Sequence, residues 1–237
     1  MSIIIPAVLP KTRDELEDKL ARLDGLVDAV QIDIVDGHFA SPATWPYAEP
    51  QTPVPTGEDM LPFLGHFNFE LDLMVENPAR VAGSWIDSGI TRLTIHAESA
   101  HNLPQLLNEL KVRYGHDKGF APNLLSIGLA INASTELSLL EPYLSEIDYV
   151  QFMGIANIGK QGEPFDMQAL RKVKAFRKKN PDIPVQVDGA VNLQTAPALL
   201  DAGVTRLIVG SALWKAVNLE EELAKFNALA EEYGNYS

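Results

Sequence analysis

Eight short segments rich in β-branched and other apolar residues recur along this chain, and amphipathic stretches lie between most of them. The predicted strands cover residues 3–7, 29–34, 67–74, 92–96, 125–131, 149–153, 185–187 and 206–209. Eight strands that alternate with helices within 237 residues predict one closed (β/α)8 barrel, the TIM barrel, as a single domain over residues 1–237. A doubly wound open sheet is the competing α/β fold, but no G-x-G-x-x-G motif follows the first strand.

Helix boundaries are marked in several of the intervening stretches. Thr12 and Glu15 form a capping box, which predicts a helix that runs through Leu23. Further helices are predicted over 166–179, from a cap at Asn192 to residue 202, and over 219–233.

One segment interrupts this alternation. Residues 37–62 contain six prolines and almost no helical pattern. Loops of this length inside compact domains are either functional lids or disordered segments. After the second strand of a barrel the segment would lie over the catalytic mouth, and a lid and a flexible insertion both stay open.

The charge balance and the absence of cysteine exclude several classes of function. Nineteen Lys and Arg residues against 32 Asp and Glu residues give a formal net charge of −13, so we expect no nucleic-acid partner. Without cysteine there is no disulfide framework, thiolate nucleophile or zinc–sulfur site. No apolar stretch approaches the roughly 20 residues of a membrane helix, and residues 1–10 make a poor signal peptide. We therefore expect a soluble, cytoplasmic protein with small-molecule partners and no membrane association.

Carboxylates near the carboxyl ends of three predicted strands are candidate catalytic residues, because active sites of barrels form at that end. These are Asp33, Asp72 and Asp188, and Gln31 shares the strand face of Asp33. Strands two and seven lie on different sides of a closed barrel. Asp33 and Asp188 could therefore flank one carbon, where one removes a proton and the other returns it. In the competing interpretation each aspartate only ends a strand, which we consider weaker for three strands together.

Glycine-rich turns follow the last three predicted strands. Residues 188–192 and 209–212 lead into helices, at the place where many barrels bind phosphate through backbone amides. Residues 157–162, after the sixth strand, would add further amides and the cation of Lys160. Taken alone, this last loop would be interpreted as a plain turn.

Segments along nearly the whole chain resemble the ribulose-phosphate 3-epimerase family. The similar segments are residues 6–9, 33–39, 73–78, 94–98, 140–143, 187–189 and 210–212. The resemblance implies a barrel of the ribulose-phosphate-binding type and an isomerase of the pentose phosphate pathway. Such an enzyme would interconvert D-ribulose 5-phosphate and D-xylulose 5-phosphate through an enediolate. The family also implies a homo-oligomer.

The resemblance implies roles for individual residues. Asp33 and Asp188 match the acid–base pair, and Gln31, Asp33, Asp72 and Asp188 match a divalent metal site for Mn, Mg, Fe or Zn. His38 and His96 match family positions near the mouth, whereas His66, His101 and His116 do not. The matching substrate-binding residues are Ala7, Met74, Met153, Gly159, Lys160, Gln161, Gly162, Gly189, Ala190, Gly210 and Ser211.

The chain departs from the family pattern at the candidate site. Gln31 and Asp72 replace the two histidine metal ligands, Ala7 replaces a serine, and Ala190 replaces a second glycine. Amide and carboxylate oxygens suit magnesium, manganese or calcium, whereas imidazole suits zinc. Three carboxylates without a cation would repel one another and raise at least one pKa. Thus either a hard cation binds, or one aspartate is protonated, or the carboxylates do not converge.

Two other functions stay open. One is an epimerase or isomerase of another ketose phosphate, such as a hexulose 6-phosphate, which the altered site and the loop 37–62 permit. The other is a non-catalytic sugar-phosphate-binding paralogue. Decarboxylases and hexulose-phosphate synthases of the same superfamily use an Asp-x-Lys-x-x-Asp strand, and the corresponding strand here has no lysine.

Overall fold

Eight parallel strands close into a barrel in chain order in the computed structural model, so the predicted fold class is confirmed. The structure describes residues 3–48, 61–114 and 125–234. Each strand ends within one residue of its predicted bounds. The strands are β1 (Ile3–Val8), β2 (Ala29–Val35), β3 (Asn68–Met74), β4 (Arg92–His96), β5 (Ser126–Ile131), β6 (Tyr149–Met153), β7 (Val185–Asp188) and β8 (Arg206–Val209).

Helices and short 3-10 turns connect the strands. The Thr12 side chain accepts a hydrogen bond from the backbone N–H of Glu15, which begins the first helix as predicted. The Glu15 carboxylate in turn accepts from the backbone N–H of Lys11 at 2.8 Å. The helices are α1 (Arg13–Leu23), α2 (Ala82–Asp87), α3 (Leu103–Tyr114), α4 (Met167–Lys179), α5 (Ala196–Asp201), α6 (Ser211–Trp214) and α7 (Leu219–Gly234); the 3-10 turns are Pro78–Arg80, Leu137–Leu139 and Glu141–Tyr143.

The predicted cap at Asn192 was wrong about where the helix begins, because α5 starts only at Ala196. The Asn192 side-chain oxygen Oδ1 instead accepts from the backbone N–H groups of Gln194 and Thr195, at 2.9 and 3.0 Å. Asparagine side chains compete in this way for backbone donors and favour a turn over a helix. Asn192 therefore closes a turn that precedes the helix.

The described part of the proline-rich segment is attached to the barrel. The backbone N–H of Thr44 donates to the carbonyl oxygen of Val35 at 2.9 Å. The buried indole of Trp45 packs edge-on against Trp85, with 6.0 Å between the ring centroids. Residues 49–60 lie outside the described residues, as does His116. The lid and the single-domain organisation therefore stay predictions.

Within residues 3–48, 61–114 and 125–234, no helix has both the length and the apolar character needed to cross a membrane.

Strand register explains why the candidate residues meet. In the β2–β3 ladder Asp33 lies beside Asp72, and in the β6–β7 ladder Met153 lies beside Asp188. Neighbours in a parallel register point to the same side of the sheet. Register therefore places Asp33 beside Asp72, and closure of the barrel brings Asp188 of β7 close to both.

Gly128 in β5 makes room for an aromatic ring inside the barrel. A Cβ atom at this position would lie 2.2 Å from the Tyr149 ring. That ring is buried, and the Arg92 guanidinium lies 3.8 Å from its centroid. Any side chain at residue 128 must therefore displace Tyr149.

We expect Gly128→Ala to lower the free energy of unfolding by about 2 kcal/mol or more, because overpacking a filled core forces side chains out of their rotamers. Urea unfolding measures the change. Val112→Ala on α3, where the native side chain is 76% exposed, is the control and should stay within about 0.5 kcal/mol of the native protein. Equal stabilities for both variants would contradict this account of the core.

Candidate active site

Three buried aspartates from different strands converge at the carboxyl end of the barrel. One carboxylate oxygen from each of Asp33, Asp72 and Asp188 lies within 4.8 Å of the others. Their exposed fractions are only 6%, 0% and 8%. The idea that these carboxylates do not converge is therefore wrong.

The side-chain amide of Gln31 bridges two of these aspartates. Its Nε2 donates to Asp33 Oδ1 at 2.8 Å and to Asp188 Oδ2 at 2.6 Å. Its Oε1 is buried and has no hydrogen-bond partner among the described residues. The resemblance implied a metal ligand at this position, and the oxygen would serve as one only after the amide turned over.

Asp72 is held by side chains from β6 and β4. Its Oδ2 accepts a hydrogen bond from Gln151 Nε2 at 2.7 Å. Its Oδ1 lies 3.1 Å from His96 Nε2, and His96 Nδ1 lies 4.0 Å from Glu98 Oε2. His96 thus contacts the aspartate cluster, whereas His38 is exposed and lines a neighbouring groove.

Burial and crowding shift the protonation of the cluster. Burial, followed by the charges of Asp188 and Asp72, raises the pKa of Asp33 well above its usual 3.8. Burial and Asp72 likewise raise the pKa of Asp188 to about 7, against the lowering effects of Gln31 and His96. Burial lowers the pKa of His96, but Asp72 and Glu98 raise it, and the net direction is upward. The cluster can therefore hold a proton near neutral pH, as an acid–base pair requires.

A pocket opens beside Asp33 and Asp188. Gln31 and Asp72 lie behind its wall and are not lining residues. Leu9, Ile155 and Val191 also line it, and sequence reasoning missed them because apolar side chains near strand ends carry no distinctive signal. Every substrate-binding residue that the resemblance implied is in the wall: Ala7, Met74, Met153, Gly159, Lys160, Gln161, Gly162, Gly189, Ala190, Gly210 and Ser211.

Tight backbone turns form one end of this pocket. Gly189 and Ala190 have φ angles of 104° and 54°, in the left-handed region that favours glycine. For Ala190 this conformation costs about 1–2 kcal/mol, and the residue adopts it although it is not a glycine. The Gln161 side chain lies directly over Gly210, with its Nε2 2.7 Å from the position of an added Cβ.

Lys215 adds a cation near this end of the pocket that sequence reasoning missed. Its Nζ lies 3.1 Å from the position that a Cβ on Gly162 would take. Its place four residues after the Ser211 turn is the only signal that the sequence offered.

The donor set of the aspartate cluster fits a hard divalent cation. Three carboxylates supply oxygen ligands, which magnesium and manganese prefer. Gln31 Oε1 is a buried oxygen without a hydrogen-bond partner among the described residues. The cluster is thus of a kind that could bind a metal ion.

Comparisons with known proteins place this geometry in context. The family model described as "Ribulose-phosphate 3 epimerase family" matches residues 3–214. Ribulose-phosphate 3-epimerase of Bacillus subtilis is 27% identical over 222 residues, which cover 89% of this chain and 91% of that protein. The Aquifex aeolicus protein of the same name is 26% identical over 240 residues, with 97% of each chain covered. The structure of 3-hexulose-6-phosphate synthase from Salmonella typhimurium has a TM-score of 0.68 at 13% identity, covering 98% of this chain and 99% of the other.

The raised pKa of Asp188 predicts a stability that depends on pH. The folded pKa of Asp188 lies above the unfolded value of 3.8, so the folded state binds the proton more tightly than the unfolded chain. The stability that this carboxyl group adds is complete below pH 3.8 and is lost as the pH rises through about 7. We expect the free energy of unfolding of the cation-free protein to fall by on the order of 3 kcal/mol between pH 5 and pH 8. Urea unfolding across this range measures it. Asp188→Asn should flatten the profile, and an identical slope in that variant would contradict the assignment.

Proposed function

The chain belongs to the ribulose-phosphate 3-epimerase family, and on that premise we propose that it interconverts D-ribulose 5-phosphate and D-xylulose 5-phosphate. Proteins of this family are isomerases acting on carbohydrates, so the chain is an enzyme of that class. The observation that carries the proposal is the pair Asp33 and Asp188, held by one amide at a pocket that ends in tight backbone turns.

The two aspartates would act as a base and an acid on opposite faces of C3. One carboxylate, unprotonated, removes the C3 proton and leaves an enediolate, and the protonated partner returns a proton from the other side. The roles exchange with the direction of reaction. Raised pKa values for Asp33 and Asp188 support this division, because a general acid must keep its proton near neutral pH. Burial also keeps bulk water away from both carboxyl groups.

Negative charge that develops on the enediolate needs stabilisation. A divalent cation, when bound, supplies electrostatic stabilisation of that charge, and Asp33, Asp72, Asp188 and Gln31 Oε1 would hold it. Magnesium or manganese fits these oxygen ligands better than zinc. In the structure the Gln31 N–H groups instead bridge the two catalytic carboxylates, and the amide must turn over before its oxygen could hold the cation.

The phosphate group would bind at the end of the pocket formed by the turns. Backbone N–H groups of Gly189, Ala190, Gly210 and Ser211 are the proposed donors, with the Lys160 ammonium as a cation. Such donors are local and independent of the net charge of −13. They allow an acidic protein to bind an anionic sugar phosphate. We propose further that the enzyme is cytoplasmic and homo-oligomeric, and that it binds neither nucleic acids nor membranes.

A second candidate is the epimerisation or isomerisation of another ketose phosphate. Ala7 supplies no side-chain hydroxyl to the pocket wall, and Leu9, Met74 and Met153 make the adjoining wall apolar. A hexulose 6-phosphate, or binding without catalysis, is therefore tested beside the pentulose phosphate.

We expect the protein to exchange the C3 proton of D-ribulose 5-phosphate with D2O, as followed by NMR. Asp33→Asn and Asp188→Asn should each slow exchange by about 10²- to 10⁴-fold, because each removes a proton-transfer group. Asp18→Asn, on the exposed side of α1, is the matched control and should retain full activity.

Other outcomes separate the alternatives. Exchange only with a hexulose 6-phosphate would favour the second candidate. Tight binding of pentulose phosphates without exchange would indicate a non-catalytic paralogue.

Chelator treatment tests the cation. We expect EDTA to abolish exchange and magnesium or manganese to restore it, with weaker restoration by zinc. Manganese binding, followed by electron paramagnetic resonance, should weaken at least tenfold in Asp72→Asn because the cluster loses a charged ligand. Exchange that persists undiminished in EDTA would show that proton exchange at C3 does not require a divalent cation.

A further inference from the structure

A chain of polar side chains crosses the barrel interior from Arg92 to the aspartate cluster. Arg92 Nη2 donates to Gln186 Oε1 at 3.1 Å, and Gln186 Nε2 donates to Gln151 Oε1 at 2.6 Å. Gln151 Nε2 then donates to Asp72 Oδ2 at 2.7 Å. These four residues, Arg92, Gln186, Gln151 and Asp72, are called the relay below. Its two glutamines and its aspartate are at most 1% exposed.

The orientation of every amide in the relay follows from the guanidinium at its start. Arginine can only donate hydrogen bonds, so Gln186 must turn its carbonyl oxygen toward Arg92. The NH2 group of Gln186 then faces Gln151, which must accept with its own oxygen. Gln151 is left with its NH2 group toward Asp72, and Asp72 Oδ2 must accept. No amide can turn over alone without placing two donors or two acceptors together in a buried interior.

Arg92 is itself fixed at the start of the relay. Its Nε lies 3.3 Å from Glu70 Oε2, and its guanidinium stacks 3.8 Å from the centroid of the Tyr149 ring. The Tyr149 hydroxyl lies 2.9 Å from Thr94 Oγ1. A guanidinium held on these sides offers Gln186 one defined donor.

The relay also determines how Asp72 meets the cluster. With Oδ2 held by Gln151, Oδ1 is the oxygen that lies 3.1 Å from His96 Nε2. Gln151 Nε2 additionally contacts Met153 Sδ at 3.3 Å, and Met153 lines the pocket. Neither Gln151 nor Gln186 is among the pocket-lining residues, so any effect they have on a bound ligand passes through Asp72 or Met153.

We propose that Gln151 and Gln186 are positioning residues of the active site, which transmit the fixed donor polarity of Arg92 to Asp72 and set the orientation of its carboxylate. The inference deepens the function proposed above and rests on it for its kinetic consequence. Its structural consequence, a defined orientation of the Gln151 amide, holds whether or not the site is catalytic.

Gln186→Glu is the decisive variant. Glutamate keeps an acceptor for Arg92 at nearly unchanged shape but loses the donor to Gln151. Two oxygens would then face each other at the former 2.6 Å contact, or at the 2.7 Å contact with Asp72 if the Gln151 amide turned over. Either way the Gln151 amide loses its defined hydrogen-bonded position. We expect kcat for C3 exchange to fall at least tenfold, with KM within threefold of the native value because the phosphate-binding turns are untouched.

The side-chain NH2 signals of Gln151 in a 1H–15N spectrum provide a readout that does not depend on turnover. Gln151→Leu identifies them by their loss. We expect both signals to move by more than 0.3 ppm in the proton dimension in Gln186→Glu, because the repulsion between two acceptors displaces the Gln151 amide from its position between residue 186 and Asp72. Gln186→Leu, which removes both bonds, is the second variant should Gln186→Glu fail to fold, and it should also lower kcat at least tenfold.

Ser88→Ala is the control, since it removes one buried hydrogen bond, to the Trp85 carbonyl oxygen at 2.6 Å, outside the relay. It should leave kcat and the Gln151 signals unchanged. A kcat within twofold of native in the Gln186 variants, or Gln151 signals that do not move in Gln186→Glu, would overturn the proposal. Absence of exchange in the native protein would refute the proposed function, while the signals of Gln151 would still decide its orientation.

Discussion

The structure depends on the closeness of three carboxylates inside a closed barrel, and on the Gln31 amide that holds two of them. Barrel closure places Asp33, Asp72 and Asp188 within 4.8 Å of one another and away from water. Like charges at that distance cannot all ionise cheaply, so the site needs donors, a proton or a cation. Gln31 supplies two N–H donors from a single nitrogen. The raised pKa values of Asp33 and Asp188 follow from burial first and from this crowding second. The affinity expected for a hard cation follows from the crowding.

Hydrogen bonds from the barrel interior hold one member of the cluster, Asp72. Asp33 and Asp188 face the pocket, whereas Asp72 is fixed through Gln151 and Gln186 to Arg92, deep in the barrel. Replacing an imidazole by a carboxylate at residue 72 would leave a buried acceptor that needs a donor, and Gln151 is that donor. In this chain Asp72 and the polar interior of the barrel therefore form one hydrogen-bonded unit.

The fold, the aspartates and the glycine-rich turns could be predicted from local signals, whereas Ala7, Met74 and Met153 were implied only by the resemblance. Strand bounds follow from short apolar runs, and Asp33 and Asp188 are visible as polar residues where such runs end. The start of α5 was missed, since Asn192 can cap either a turn or a helix and only its backbone partners decide. The roles of Gln151 and Gln186 were missed for a different reason. Gln151 and Asp72 are 79 residues apart in sequence, and no local pattern says that they touch.

The central claim is that two carboxylates act on opposite faces of one carbon, and the position of solvent deuterium at low conversion tests it most directly. The reaction is started in D2O with unlabelled D-ribulose 5-phosphate and stopped within the first few per cent of turnover. Two bases predict deuterium at C3 of the D-xylulose 5-phosphate formed and almost none in the recovered D-ribulose 5-phosphate. Equal labelling of both sugars would mean that a single group removes and returns the proton, and would contradict the account.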